Sequence, residues 1–420
     1  MKNIAAIILA AGKGERMKSE MPKVLHPICG RPMLEYVLDL VRALRIDKRI
    51  VILGHQHKTV RKSIAKGINI VIQKRLLGTA DAVRCAMNLL RNFKGSILVL
   101  YADHPLFKRA TIENLIRQHI KNNLDVTLLT AIADNPSGYG RILRDRYGSI
   151  CAIVEEAKAN DFQKEIKEVN LGAACFNKEK LFTALKYIKR NNPKREYYLT
   201  DTVGILYKRN AIIEALRAHD TMEALGINNY SDLIQANRLM QRWIHEGLIN
   251  KGVKIFDPDS TFIDWGVGIG KDTVIYPFTI IERDVKIGKN CSIGPFCHLR
   301  PRTVIRDNVT LGNFVEVSRS HIGKETLIKH FSYLGDSRVG EKVNIGAGTV
   351  TANFDGKKKN ITIIKDRAFI GSDTVLIAPV EVGRSAVTGA GAVVIKNKNV
   401  PDGKVAVGVP AKILNKGRRG

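Results

Sequence analysis

From about residue 267 onward an aliphatic side chain returns every six positions, at Ile269, Ile275, Ile281, Ile287, Ile293, Leu299, Ile305, Leu311 and Val317. Several are followed directly by glycine, as in Ile269-Gly, Ile287-Gly, Ile293-Gly and Leu311-Gly. After a one-residue slip the pattern resumes at Ile322, Ile328 and Leu334 and continues through Val339-Gly, Ile345-Gly, Ile370-Gly and Val382-Gly. A period of six is neither that of a helix nor that of a half-buried strand. It is the hexapeptide signature of a parallel β-helix, here expected to be left-handed. Three hexads close one triangular coil, and coils stack at the strand spacing of ~4.8 Å. Cys291 and Cys297 fall two residues before an aliphatic position, where a small side chain fits a corner, so packing outranks chemistry for both. The break between Asn353 and Ile361, filled by Asp355-Gly-Lys-Lys-Lys, reads as a projecting loop.

Residues 1–228 follow a different grammar. Short apolar runs at 4–9, 49–53, 68–72, 96–100 and 125–131 alternate with amphipathic stretches at 33–45, 58–66, 79–91 and 109–121. That alternation predicts a Rossmann-like α/β domain, a parallel sheet covered by helices with ligands outside the carboxyl ends of its strands. Residues 229–250 read as a helical linker, with Ser231 able to cap it and apolar positions at Leu233, Ile234, Leu239, Met240 and Ile244. The β-helix domain is then 251–420.

Chemistry concentrates after the first strand, in Leu9-Ala10-Ala11-Gly12-Lys-Gly-Glu-Arg16-Met, followed by Pro22-Lys23. Small residues and Gly14 leave a loop whose backbone N–H groups can face a ligand, and Lys13, Arg16 and Lys23 add positive charge. This is an anion cradle, where a merely tight turn would not need three cations. Tyr101-Ala-Asp103 ends the run 96–100 on the same rim. A carboxylate there suits Mg²⁺ bridging a polyphosphate, a role compatible with capping the next helix. Asn228 offers an amide oxygen as a second hard ligand. Gln73 with Gly78-Thr79 could read a base edge, and Glu155 and Asn170 could hold sugar hydroxyls.

Composition narrows the alternatives. The formal charge is +28, from 68 Lys+Arg against 40 Asp+Glu, yet the excess is scattered. Only Lys357-Lys358-Lys359 and the tail Lys416-Gly-Arg-Arg419 cluster, without interleaved aromatics, so nucleic acid is not the expected partner. The six cysteines show no CxxC and no metal spacing with histidine. No segment approaches the ~20 apolar residues of a membrane span, and the chain opens on a strand too short for a signal sequence. A cytoplasmic location is expected.

The first half resembles the sugar-1-phosphate nucleotidyltransferases. With its hexapeptide second half, the chain resembles the bacterial family of bifunctional N-acetylglucosamine-1-phosphate uridylyltransferases / glucosamine-1-phosphate acetyltransferases over nearly its full length. The matching segments are the loop 9–17, Pro22-Lys-Val-Leu-His26, Leu77-Gly-Thr-Ala, Gly138-Tyr-Gly-Arg141, Ile153-Val-Glu155, Glu196-Tyr-Tyr-Leu-Thr-Asp201 and Gly226-Ile-Asn-Asn229. Further on they are Ile293-Gly-Pro-Phe, Leu299-Arg-Pro, Gly312-Asn-Phe-Val-Glu316, His330-Phe-Ser-Tyr-Leu-Gly-Asp336 and Val343-Asn-Ile-Gly-Ala-Gly-Thr349.

The resemblance implies that Leu9, Ala10, Ala11 and Gly12 contact the nucleotide of UTP, and Gln73, Gly78 and Thr79 its uracil. Arg16 stabilises departing pyrophosphate and Lys23 the α-phosphate, Asp103 and Asn228 hold Mg²⁺, and Gly140, Glu155 and Asn170 bind the amino-sugar, with Tyr101 also in the site. In the second half it makes His330 the general base. Arg300 and Tyr333 hold the sugar phosphate, Asn344 and Asn353 (with Phe354 beside it) the sugar, and Ala347, Ser372 and Ala390 line an acetyl-CoA groove between copies of a homotrimer. Four positions depart from the family pattern: Ser318 replaces a phosphate-binding Lys, with Arg319 next; Gly408 replaces an Arg expected on CoA; Phe354 replaces Tyr; Ala102 replaces Gly. Ser318 and Gly408 prompt a second reading, a monofunctional nucleotidyltransferase whose β-helix only trimerises or regulates.

Overall fold

The computed structural model describes residues 3–190, 192 and 195–414, so the basic tail 416–419 lies outside the described residues. The chain divides into two compact units, Met1–Asn237 and Arg238–Gly420. The division falls inside one helix, Tyr230–Ile249, which occupies the stretch read as a linker.

The first unit is built on a mixed sheet with strand order Ile213–Arg217, Val126–Ile132, Glu168–Asn177, Ser96–Tyr101, Ile4–Ala10, Lys48–Leu53 and Asn69–Ile72. Every residue of Ile4–Ala10 is buried, as expected of a central strand covered on both faces. Ile4, Ala6, Ile8 and Ala10 pack with Leu34, Val37 and Val41 of the helix Met33–Ala43 and Ile112 and Leu115 of Arg109–Lys121. Ala5, Ile7 and Leu9 pack on the other side, with Ala80 and Val83 of Thr79–Cys85 and Leu181 of Lys178–Leu185. The stretch 79–91, expected as one helix, is a helix over Thr79–Cys85 and a 3₁₀ turn over Met87–Leu90, and 58–66 is a shorter helix, His57–Lys62.

The parallel expectation needs one correction. Glu168–Asn177 runs antiparallel to both Ser96–Tyr101 and Val126–Ile132. Its register shifts between Asn170 and Ala174, with Gly172 at φ +82°. This bulge breaks the period-two pattern that would have marked the strand. A hairpin of Gly140–Arg144 and Ile150–Val154 pairs onto the same strand through Asn170–Gly140.

The second unit is three parallel ladders wound as a β-helix. Ile275 pairs with Ile293, and Ile293 with Leu311, one eighteen-residue coil apart. Two coils are a residue short rather than one: Ile305 pairs with Ile322, and Ile322 with Val339, each seventeen residues on. Residues 353–360 project as a loop closed by an antiparallel bridge, Phe354–Lys359. The aliphatic column is sealed, with Ile275, Ile281, Ile293, Leu299, Leu311 and Val317 all fully buried. Leu299→Ala should cost about 2–5 kcal/mol of stability, read from denaturant unfolding of the intact protein, because the stacked coils cannot collapse into the void.

Cys291 and Cys297 behave as packed corner residues. Their thiols point to the carbonyls of Arg306 and Gly312 at 3.1 and 2.9 Å. Burial pushes the Cys297 pKa up to about 12 and raises that of Cys291, which keeps both unreactive.

Candidate active sites

In the first unit, the strands Ile4–Ala10, Ser96–Tyr101 and Asn69–Ile72 run the same way, so the segments after them open on one rim. There the chain brings together side chains from three distant segments. Lys23 Nζ donates to Asp103 Oδ2 at 2.6 Å and to Asn228 Oδ1 at 3.1 Å, and Arg16 donates to the same Asn228 oxygen at 2.9 Å. The Ile227 N–H donates to the Asp103 carbonyl at 2.9 Å, which ties the 226–229 segment to the end of the strand. Gly14, at φ +69°, lies where a Cβ would come within 2.6 Å of Lys23 Cβ, so the glycine admits the lysine into the cradle. Lys13 does not join: it pairs with Glu15 at 3.2 Å on the exposed rim. Leu9, Ala10 and Ala11 are buried, and Gly12 has open space where a side chain would stand.

The electrostatics of this cluster are balanced against its burial. Burial alone would raise the pKa of Asp103, but the charges of Lys23 and His104 outweigh it and hold the carboxyl below its ordinary range. Asp103 Oδ1 is buried without a hydrogen-bond partner. His104, which no sequence motif marks, is enclosed beside it. Burial lowers its pKa, opposed by the Asp103 charge, and its ring lies within 3.2 and 2.9 Å of where Cβ atoms would stand on Gly172 and Gly226. The two glycines make room for the imidazole.

The other expected residues line the same rim. Tyr101 is bonded to Thr79, and burial pushes its phenol pKa upward. Gly78 has φ +109° and passes so close to Tyr197 that a Cβ would meet its carbonyl at 2.6 Å. Gln73 is 4% exposed and donates to the Gly78 carbonyl. Gly140 faces Asn170 across the sheet, and the place of its missing Cβ is 3.7 Å from Glu155 Oε2 and 3.8 Å from Asn170 Cβ. Thr200, not anticipated, donates to Glu155 Oε1 at 2.8 Å and lines a small pocket with Tyr101, Asn170 and Gly172.

In the second unit, His330, Asn344, Ala347, Ser372 and Ala390 line one groove. His330 is exposed, and its ring takes no hydrogen bond among the described residues. Arg300, Tyr333, Asn353 and Phe354 lie outside this groove, on or beside the neighbouring ladder. Arg300 pairs with Glu316 at 3.0 Å. Tyr333 and Asn353 converge over Gly335, where a Cβ would lie 2.4 Å from the phenol oxygen and 2.7 Å from the amide nitrogen. Arg319 grips Asp336 with two hydrogen bonds of 2.7 and 2.8 Å and donates to Ser318 Oγ at 2.7 Å, which places a guanidinium directly beside Ser318. Phe354 sits exposed in the projecting loop.

Comparison with known proteins decides the family. Residues 6–169 match the MobA-like NTP transferase domain, and residues 266–300 and 284–319 match the bacterial transferase hexapeptide repeat. The bifunctional protein GlmU of Shouchella clausii is 42% identical over 422 residues, covering 93% of this chain and 93% of that protein. The chain belongs to the GlmU family. The GlmU of Lactococcus lactis is 43% identical, covering 99% of this chain and 98% of the relative, and that of Thermosipho africanus is 41% identical, covering 98% and 96%. As a GlmU-family protein the chain is a bifunctional transferase, a uridylyltransferase and an acetyltransferase of UDP-N-acetylglucosamine synthesis. No helix among the described residues is long and apolar enough to cross a membrane.

Proposed function

We propose that the rim built from Arg16, Lys23, Asp103 and Asn228 transfers the uridylyl group of UTP to N-acetylglucosamine-1-phosphate, and that the groove beside His330 acetylates glucosamine-1-phosphate. The observation that carries the first half is the convergence of two cations, a carboxylate and an amide oxygen from distant segments within hydrogen-bond distance. A sugar-1-phosphate oxygen attacks the α-phosphorus in line, forming the new P–O bond as the bond to pyrophosphate breaks. No proton need move, so positioning and charge neutralisation supply the rate. Lys23 serves the α-phosphate, Arg16 the departing pyrophosphate, and the backbone of 9–12 the nucleotide. Gln73, Gly78 and Thr79 meet the uracil, and Gly140, Glu155 and Asn170 the amino-sugar.

The donor set fits Mg²⁺. Asp103 presents a buried, unpartnered oxygen and Asn228 an amide oxygen, while no group of three or more His, Cys, Asp or Glu suited to a metal occurs among the described residues. Two protein oxygens, with water and phosphate completing the shell, is the pattern for Mg²⁺ rather than for a cage-bound metal. When bound there, Mg²⁺ neutralises phosphate charge. Lys23 now fills this place and must yield its contacts to Asp103 and Asn228.

In the second half, His330 takes a proton from the glucosamine amine as that nitrogen attacks the thioester carbonyl of acetyl-CoA, and the CoA thiolate leaves. The small Ala347, Ser372 and Ala390 leave the groove open for the CoA chain. Tyr333, Arg300 and Arg319 supply the side chains for the sugar phosphate, and Asn344 and Asn353 those for the sugar.

The groove needs further copies of the chain. Phe278, Phe296 and Phe314, each about half exposed, stack along one corner of the β-helix at 4.9 and 5.0 Å, and Phe331, next to His330, follows on the same corner. A ridge with one ring per coil matches the rise of another β-helix, which supports the homotrimer. Phe296→Glu combined with Phe314→Glu should leave monomers by light scattering and lose acetyl transfer while keeping uridylyl transfer. A variant that stays trimeric would remove this corner from the interface.

The deciding assay incubates the protein with UTP, Mg²⁺, acetyl-CoA and glucosamine-1-phosphate and identifies products by mass. UDP-N-acetylglucosamine is expected. Its absence, with UDP-sugar formed only from added N-acetylglucosamine-1-phosphate, would leave the β-helix a scaffold.

A further inference from the structure

Gln73 follows the strand Asn69–Ile72 and is held by its own backbone, whose N–H donates to the Leu53 carbonyl at 2.8 Å. Its side-chain Nε2 lies 3.1 Å from the Gly78 carbonyl oxygen and 2.8 Å from Asp81 Oδ2. A carbonyl and a carboxylate are acceptors only, so the amide nitrogen must face them and both of its protons are committed. Oε1 is what remains. It takes no hydrogen bond among the described residues, and it is not among the buried unpartnered atoms, so it opens on the rim.

Both acceptors are themselves anchored. The Tyr197 N–H donates to the Leu77 carbonyl at 2.7 Å, the Ala80 N–H to the Tyr197 carbonyl at 2.9 Å, and the Leu199 N–H to Thr79 Oγ1 at 2.9 Å. Asp81 therefore starts its helix from a clamped loop, which fixes the backbone that carries its carboxylate to Gln73.

We propose that Asp81 is a positioning residue for base selection: it fixes the Gln73 amide with Oε1 outward, as a lone acceptor for the N3–H of uracil. The proposal rests on the reading that Gln73 meets the base. Cytosine presents a lone pair at N3, which Oε1 repels, so the orientation of one amide separates UTP from CTP. Thymine carries the same N3–H and is not rejected by this device.

The test is the ratio of kcat/KM for UTP over CTP in the full-length protein. Asp81→Asn keeps the side-chain shape but can donate to Gln73, which weakens the bias against a turned amide. The ratio should fall roughly tenfold, the effect of one hydrogen bond to a charged group, with the melting temperature little changed. An unchanged ratio in a folded variant overturns the proposal. Should Asp81→Asn fail to fold, Asp81→Ser is read in the same way. Gln73→Ala separates the two levels. If it leaves UTP kinetics intact, the base-reading assignment falls; if it weakens UTP while Asp81→Asn leaves the ratio alone, only the Asp81 lock falls.

Discussion

Asp103→Asn should lower uridylyl transfer by on the order of 10²–10³-fold while acetyl transfer by the same preparation stays within about twofold. The substitution keeps the shape of the side chain but removes its charge. Two consequences follow from the geometry. Lys23, 2.6 Å from Asp103 with both side chains largely buried, loses its counter-ion, so its charge is held in the cradle by the neutral Asn228 oxygen alone. The hard anionic oxygen offered to Mg²⁺ is also gone, so the Mg²⁺ concentration needed for half-maximal rate should rise. Asp103→Glu, one methylene longer in a place enclosed by His104 and Tyr101, is expected to recover little activity. Wild-type uridylyl transfer in Asp103→Asn would show that the carboxylate serves only to neutralise Lys23. The acetyl-transfer control matters because a misfolded chain would lose both reactions.

The parts of this architecture that sequence exposes are those that repeat or that cluster. The β-helix is visible because each coil has to refill the same column, and a single missing residue only resets the phase. The second short coil, at Val339, is masked in the sequence because the next aliphatic-glycine pair restores the rhythm at once. The cradle is visible because its small residues, Arg16 and Lys23 fall close together in the chain, between Leu9 and Lys23. Asn228 is different. As sequence it is a turn residue, and what gives it meaning is the Ile227 N–H bound to the Asp103 carbonyl. The same holds for Thr200 on Glu155 and Asp81 on Gln73, where the informative fact is a tertiary approach between segments with no shared pattern. His104 stands next to a residue already singled out, yet its enclosure depends on Gly172, in the bulge of the antiparallel strand Glu168–Asn177, and on Gly226 from a distant segment. That strand is hard to read from sequence because its alternation is interrupted where it bends.

His330→Ala should reduce acetyl transfer by about 10²–10⁴-fold and leave uridylyl transfer near wild type, the mirror image of the Asp103 result. The argument is one of position and availability. The imidazole lines the same groove as Ala347, Ser372 and Ala390, and no neighbour among the described residues occupies its ring nitrogens. A structural histidine is normally held by partners, as His119 is between Thr127 and Ser96 at 2.9 Å each, where burial drives its pKa down to about 4. His330 lacks such constraint, so its removal should cost little stability and the loss should appear in kcat rather than in the melting temperature. His330→Asn, which keeps a polar group but cannot accept a proton near neutral pH, should be as poor as His330→Ala. If either variant retains full acetyl transfer, the amine loses its proton to another group or to water, and the groove then works by positioning alone.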